Sequence, residues 1–177
     1  IDESLMAWKN STRHKPLLLR GARQVGKSSS VRHLAKQFDY FVEINFERKP
    51  AYLEIFKGDR DAKHIVEMIK SITGEPIVPG KTLLFFDEIQ MCQEAISSLR
   101  FFWEDMPGLH VIAAGSLLEF ALSEIPTFGV GRIHSMFMYP MSFDEFLNAL
   151  GMFSLQKYKR EASPEKPLLS ALHEQLV

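Results

Sequence analysis

The segment Leu17-Leu18-Leu19-Arg20-Gly21-Ala22-Arg23-Gln24-Val25-Gly26-Lys27-Ser28 constrains the fold of this chain more than any other. Three leucines read as a short buried strand, and Gly21 and Gly26 bound a loop. Lys27-Ser28 then opens a helical pattern in which Val31, Leu34, Ala35 and Phe38 share one face. Gly-x-x-x-x-Gly-Lys-Ser in a strand–loop–helix setting is a phosphate-binding loop. Gly21 and Gly26 permit positive φ and close approach of backbone to an anion. Ala22, Arg23, Gln24 and Val25 lend backbone N–H groups. The helix that begins Lys27, Ser28, Ser29 turns the positive end of its dipole to the same place. Lys27 has the reach for β- and γ-phosphates, and the Ser28 hydroxyl suits Mg²⁺.

The rest of the chain reads as alternating helices and strands. Helical segments are predicted over 2–10, 50–56, 62–72, 94–103, 117–122 and 142–150, and strands over 40–46, 82–86, 109–114 and 133–139. The 2–10 helix reads either as packing on the sheet edge or as lying beside a nucleotide base, with Asp2 or Ser4 as its cap. Thr82-Leu83-Leu84-Phe85-Phe86 and Leu109–Ala114 are continuous apolar runs, as parallel strands covered on both faces require. The fold class is therefore α/β with three layers. Residues 126–131 read as a loop with Gly129 and Gly131. Residues 156–166 are charged, contain two prolines and read as a linker, and 167–177 read as an apolar-striped helix of a further unit. Domain boundaries are placed at 1–150 and 151–177. The chain starts at Ile1 and ends in an apolar pattern, so it reads as a fragment of a longer protein.

At 177 residues, 46% of them hydrophobic, the chain has enough apolar material for one substantial core. Its net charge of −1 gives nucleic acid no support as a partner. One cysteine, Cys92, rules out an internal disulfide and reads as an inert thiol of a reducing cytoplasm. No apolar run approaches the roughly 18 residues of a membrane span, and no membrane partner is expected. The six scattered histidines show no zinc spacing. Lys157, Lys159 and Arg160 form a basic cluster that reads as a solvated linker or a phosphate-backbone contact.

A second constellation follows the apolar strand 82–86. Asp87 at the strand end suits the Mg²⁺ shell, and the adjacent Glu88 suits orientation of a water for in-line attack on a γ-phosphate. Ser116 ends another strand run at the same sheet edge, where parallel-strand ligands bind. It reads either as a sensor of water and γ-phosphate or as a helix cap.

Gly-Ala-Arg-Gln-Val-Gly-Lys-Ser at 21–28, Leu-Leu-Phe-Phe-Asp-Glu-Ile-Gln at 83–90, Ala-Gly-Ser at 114–116, Gly-Arg-Ile at 131–133 and Tyr-Pro-Met-Ser-Phe-Asp-Glu-Phe-Leu at 139–147 resemble a family of prokaryotic AAA+-type P-loop ATPases. The resemblance covers roughly residues 5–150. It implies a parallel five-stranded sheet in the order 5-1-4-3-2, ATP and ADP as ligands with Mg²⁺, Walker A at 21–28, Walker B at 83–88 and a sensor-1-like Ser116. It also implies a further C-terminal domain of unknown function. Asn45 matches the position at the end of the second strand where a polar residue can hold the catalytic glutamate inactive in AAA+ proteins. Arg132 matches either an arginine finger acting on a neighbouring subunit of a homo-oligomer or a structural ion-pair arginine. No sensor-2 arginine is visible. ATP over GTP rests on the resemblance, with no Asn-Lys-x-Asp guanine motif present.

The expected activity is ATP hydrolysis to ADP and phosphate with Mg²⁺, carried by Lys27, Ser28, Asp87 and Glu88. The alternative is a nucleotide-controlled interaction switch with slow turnover. A small-molecule kinase shares the loop, but no acceptor-binding segment is evident.

Overall fold

The central strands are runs buried on both sheet faces, the edge strands over 40–45 and 134–137 are more exposed, and the helices are stripes that bury one side. The computed structural model describes residues 1–58, 61–116, 118–123 and 131–161. The described elements are α1 (Asp2–Lys9), β1 (Leu17–Arg20), α2 (Lys27–Ala35), β2 (Tyr40–Asn45), a 3₁₀ segment (Pro50–Phe56), α3 (Ala62–Thr73), β3 (Thr82–Asp87), a short 3₁₀ turn (Ile89–Met91), α4 (Gln93–Asp105), β4 (His110–Ala114), α5 (Leu118–Ser123), β5 (His134–Phe137), α6 (Phe143–Ala149) and α7 (Phe153–Glu161). They fall into two units, Ile1–Tyr139 and Pro140–Val177. The predicted helix over 167–177 and all of the predicted 126–131 loop except Gly131 lie outside the described residues.

In the first unit the five strands pair in the order β2-β3-β4-β1-β5. Every pairing is parallel. This is the 5-1-4-3-2 order implied by the resemblance. Alternation along the strands divides the core. Leu17, Leu19, Phe85 and Ile112 face one side, with Leu5 and Trp8 of α1 and Val31 and Leu34 of α2. Leu18, Leu84, Phe86 and Val111 face the other, with Ile65 and Ile69 of α3 and Leu99 and Phe102 of α4. β3 and β4 are buried along their whole length, as continuous apolar runs demand. α1 packs beside α2, and Ile1, not Asp2 or Ser4, occupies its N-cap position. The helix predicted over 50–56 is a 3₁₀ segment, Pro50–Phe56.

In the second unit Ser142 caps α6. Its hydroxyl accepts from the Glu145 N–H at 3.2 Å, and Glu145 returns a bond from the Ser142 N–H at 2.7 Å. Residues 156–161, predicted as the start of a linker, instead complete α7. Lys159 of the basic cluster donates to Asp144 at 2.7 Å and Arg160 lies 3.8 Å from it, so these charges tie α7 to α6.

Candidate functional site

The carboxyl ends of the strands set the site. Register aligns Asn45 with Asp87, Asp87 with Ala114, and Ala114 with Leu19, so four adjacent strands end on one level. Partners in a parallel register share a sheet face. Asn45 and Asp87 thus stand on the face that carries α2.

From Arg20 the chain turns into the glycine-bounded loop. Gly21 has φ +143, and a Cβ there would lie 2.1 Å from the Met138 carbonyl oxygen, just past the end of β5. Gly26 has φ +98 and occupies the N-cap of α2 with no side-chain cap. The first-turn N–H groups of α2 are therefore left for an anion. Gln24 also carries positive φ, at 64°, an uncommon state for a side-chain-bearing residue. Ala22, Arg23, Gln24 and Ser29 are exposed, Val25 is half-buried, and Arg23 makes a surface pair with Glu47 at 3.6 Å.

Lys27 is buried, and its ammonium donates to the loop carbonyls of Gly21 at 2.9 Å and Ala22 at 2.6 Å. Burial lowers its pKa, against the nearby charges of Glu88 and Asp87. Ser28 donates its hydroxyl to Asp87 Oδ1 at 2.9 Å, and Asn45 donates its amide to Oδ2 at 2.9 Å. Burial raises the Asp87 pKa, and the charges of Glu88 and Glu43 add to the rise. The Ser28 and Asn45 hydrogen bonds act in the other direction.

Two further residues frame this carboxylate. Arg32 of α2 grips Glu43 of β2 with bonds of 3.0 and 2.7 Å, and its guanidinium lies 3.7 Å from Asp87 Oδ2. The sequence reading missed both, yet spacing marks them. Arg32 is four residues past Ser28 on the helix, and Glu43 is two before Asn45 on the strand.

Glu88 leaves the strand in left-handed backbone, φ 54 and ψ 43. Its carboxylate accepts from Gln90 Nε2 at 2.6 Å. The amide of Asn45 is on Asp87, not on Glu88 as its position suggests. Ser116 lies two residues past Ala114, at the same sheet edge and just before α5. Arg132 does not join these groups within the chain. It precedes β5, whose first residue pairs with the first residue of β1, so it lies toward the opposite sheet edge from the loop. There it pairs with Glu104 at 2.5 Å. Among the described residues no group of three His, Cys, Asp or Glu side chains is arranged for a metal. Burial pushes the Cys92 thiol up to about 11, well away from nucleophilic thiolate.

A parallel α/β sheet with this loop between β1 and α2, and an acidic pair closing β3, defines a P-loop NTPase fold. A family model described as an AAA domain matches residues 13–147. The chain belongs to that family, an AAA-type P-loop ATPase family whose domain binds nucleotide. No protein of curated function matches the chain. Among the described residues no helix is long and apolar enough to cross a membrane.

Proposed function

We propose that this domain binds ATP with Mg²⁺ and hydrolyses it to ADP and phosphate. The observation that carries the reading is the 2.9 Å bond between Ser28 and Asp87, which joins the phosphate loop to the end of β3 beside Glu88. The loop amides from Gly21 to Gly26, the first turn of α2 through Ser29, and the Lys27 ammonium receive the phosphates. To do so Lys27 exchanges the Gly21 and Ala22 carbonyls for phosphate oxygens. Ser28 and Asp87 offer a hydroxyl and a carboxylate oxygen, the hard donors that Mg²⁺ takes. A buried carboxylate whose charge is disfavoured gains from a cation, so the donor set fits. When bound, Mg²⁺ supplies charge neutralisation at phosphate oxygens. Glu88 accepts a hydrogen bond from the attacking water and orients it in line. Ser116 contributes a hydroxyl at the same edge. Arg132 acts on the nucleotide of a second copy only after releasing Glu104.

The reading is tested by Mg²⁺-dependent phosphate release from ATP, with nucleotide binding measured on the same samples, for the parent and Glu88→Gln. Binding by both with turnover lost in the variant is expected. Equal turnover in both removes the role given to Glu88.

One observation favours a second reading, a nucleotide-controlled switch. Lys27 is held by its own loop, so phosphate binding exchanges its bonds to the Gly21 and Ala22 carbonyls and couples the loop to the nucleotide. Binding without turnover in the parent, together with partner affinity that differs between ATP and ADP, supports the switch.

A further inference from the structure

Gln90 holds the carboxylate of Glu88 in an arrangement that leaves its own amide half satisfied. Nε2 donates to Glu88 Oε2 at 2.6 Å. Oε1 of the same amide is buried and has no hydrogen-bond partner among the described residues. A buried acceptor without a donor is costly. Exchanging the two ends offers no relief, because it sets an amide oxygen against a carboxylate oxygen with no proton between them. The carboxylate therefore fixes which way the amide points.

The wall behind the amide is also specific. A Cβ added to Gly115 would lie 2.2 Å from Gln90 Oε1. Gly115 is not among the residues with positive φ, so its backbone does not call for glycine. The space does. Glycine between Ala114 and Ser116 is what admits the Gln90 amide to the end of β4. On its other side, Glu88 starts the Ile89–Met91 turn in left-handed backbone, which brings residues 88 and 90 together. A glutamate side chain has three torsions, and this hydrogen bond restricts them.

We infer that Gln90 is the positioning residue for Glu88, with Gly115 leaving the space that its amide occupies. This rests on the reading of Glu88 as the residue that orients the attacking water. Asn45 does not fill the role, since its amide is engaged by Asp87.

The test uses the full chain with two substitutions that reach the contact from opposite sides. Gln90→Met keeps length and removes the donor. Gly115→Ala drives the amide off Glu88. Each is expected to lower kcat roughly ten- to a hundredfold, the scale of misplacing a catalytic group by about an ångström. ATP affinity stays within about twofold, and the double variant is no slower than the slower single one. Gln90→Met in a Glu88→Gln background has no further effect. A merely structural role would instead move affinity and melting temperature with kcat.

A second readout does not depend on turnover. The side-chain amide resonance of Gln90, assigned by its loss in Gln90→Met, shifts in both Glu88→Gln and Gly115→Ala. Parent-like or faster turnover in folded Gln90→Met overturns the inference, and so does an amide resonance that neither substitution moves. Failure of the Glu88 role shows separately, as parent-like turnover in Glu88→Gln.

Discussion

Asn45 gives its side-chain amide to Asp87 at 2.9 Å and leaves Glu88 to another residue. The register explains it. Asn45 and Asp87 are paired positions at the ends of β2 and β3, so their side chains share a face. Glu88 has already turned out of the strand.

Asn45→Ala is therefore expected to act through the carboxylate of Asp87. Burial already holds the Asp87 pKa above the usual carboxylate range, and the Asn45 donor opposes that rise. Losing the donor moves the pKa further up, so less of the carboxylate is ionised at a given mildly acidic pH. Mg²⁺-dependent nucleotide binding should weaken roughly two- to tenfold, the worth of one hydrogen bond. Its decline on acidification should also begin at higher pH than in the parent. Titrations of nucleotide with and without Mg²⁺ across pH check this. A loss that is the same at every pH would place the effect elsewhere.

Lys27→Met separates binding from folding. The ammonium is buried at a cost that lowers its pKa, and its bonds in the chain are to carbonyls of its own loop. Removing it forfeits charge-assisted hydrogen bonds to phosphate, worth about 1.5–3 kcal/mol each, so ATP affinity should fall at least tenfold. The melting temperature should stay level or rise, because a desolvated charge is removed as well. A large fall in melting temperature would show the ammonium to be structural. Calorimetric binding and thermal unfolding of one preparation decide it.

How much was legible beforehand follows from the range of each interaction. Leu17–Ser28 and the run 82–88 announce themselves because strand burial, glycine spacing and the acidic strand end are local patterns. The sheet order came from family resemblance, since local patterns do not fix which strands are neighbours. The Asp144 pairs that tie α7 to α6, and the Arg32–Glu43 grip, join residues 11 to 16 apart in sequence. Lys159 and Arg160 read as solvated charge because their partner, Asp144, sits on another helix. Gln90 stood in a quoted motif without a role, because its contact depends on the left-handed turn at Glu88. His14 and His110 looked scattered, yet the fold stacks their rings 3.6 Å apart.

Glycine substitutions distinguish strain from collision. Gly21→Ala meets both, φ of +143 and a carbonyl oxygen 2.1 Å from the new Cβ. Gly131→Ala meets only φ of +76, with no atom of the described residues within 4 Å. The first should destabilise by about 2–4 kcal/mol and the second by about 1 kcal/mol. Urea midpoints at constant slope measure both. Equal losses would show that the backbone of 138–139 yields to a side chain at 21.

His110 gives the first unit a stability that depends on pH. Its ring stacks on His14, meets Trp8 and Phe38 edge-on, and engages the Lys9 carbonyl at 3.0 Å. Burial, aided by the neighbouring charges of His14 and Lys9, pushes it from 6.5 down to about 4, although the Lys9 carbonyl favours the charged form. Between those values the unfolded chain binds the proton and the folded chain does not, so stability rises with pH across that window. The contribution is complete above about pH 6.5 and is lost as pH falls toward 4, by at most about 3 kcal/mol. His110→Phe keeps an aromatic ring among Trp8, Phe38 and His14 while removing the titration. The difference in unfolding free energy between parent and variant, followed by urea denaturation from pH 7.5 to 4.5, should move against the parent as pH falls. A difference that stays constant across that range would mean that His110 takes up its proton without leaving the folded core.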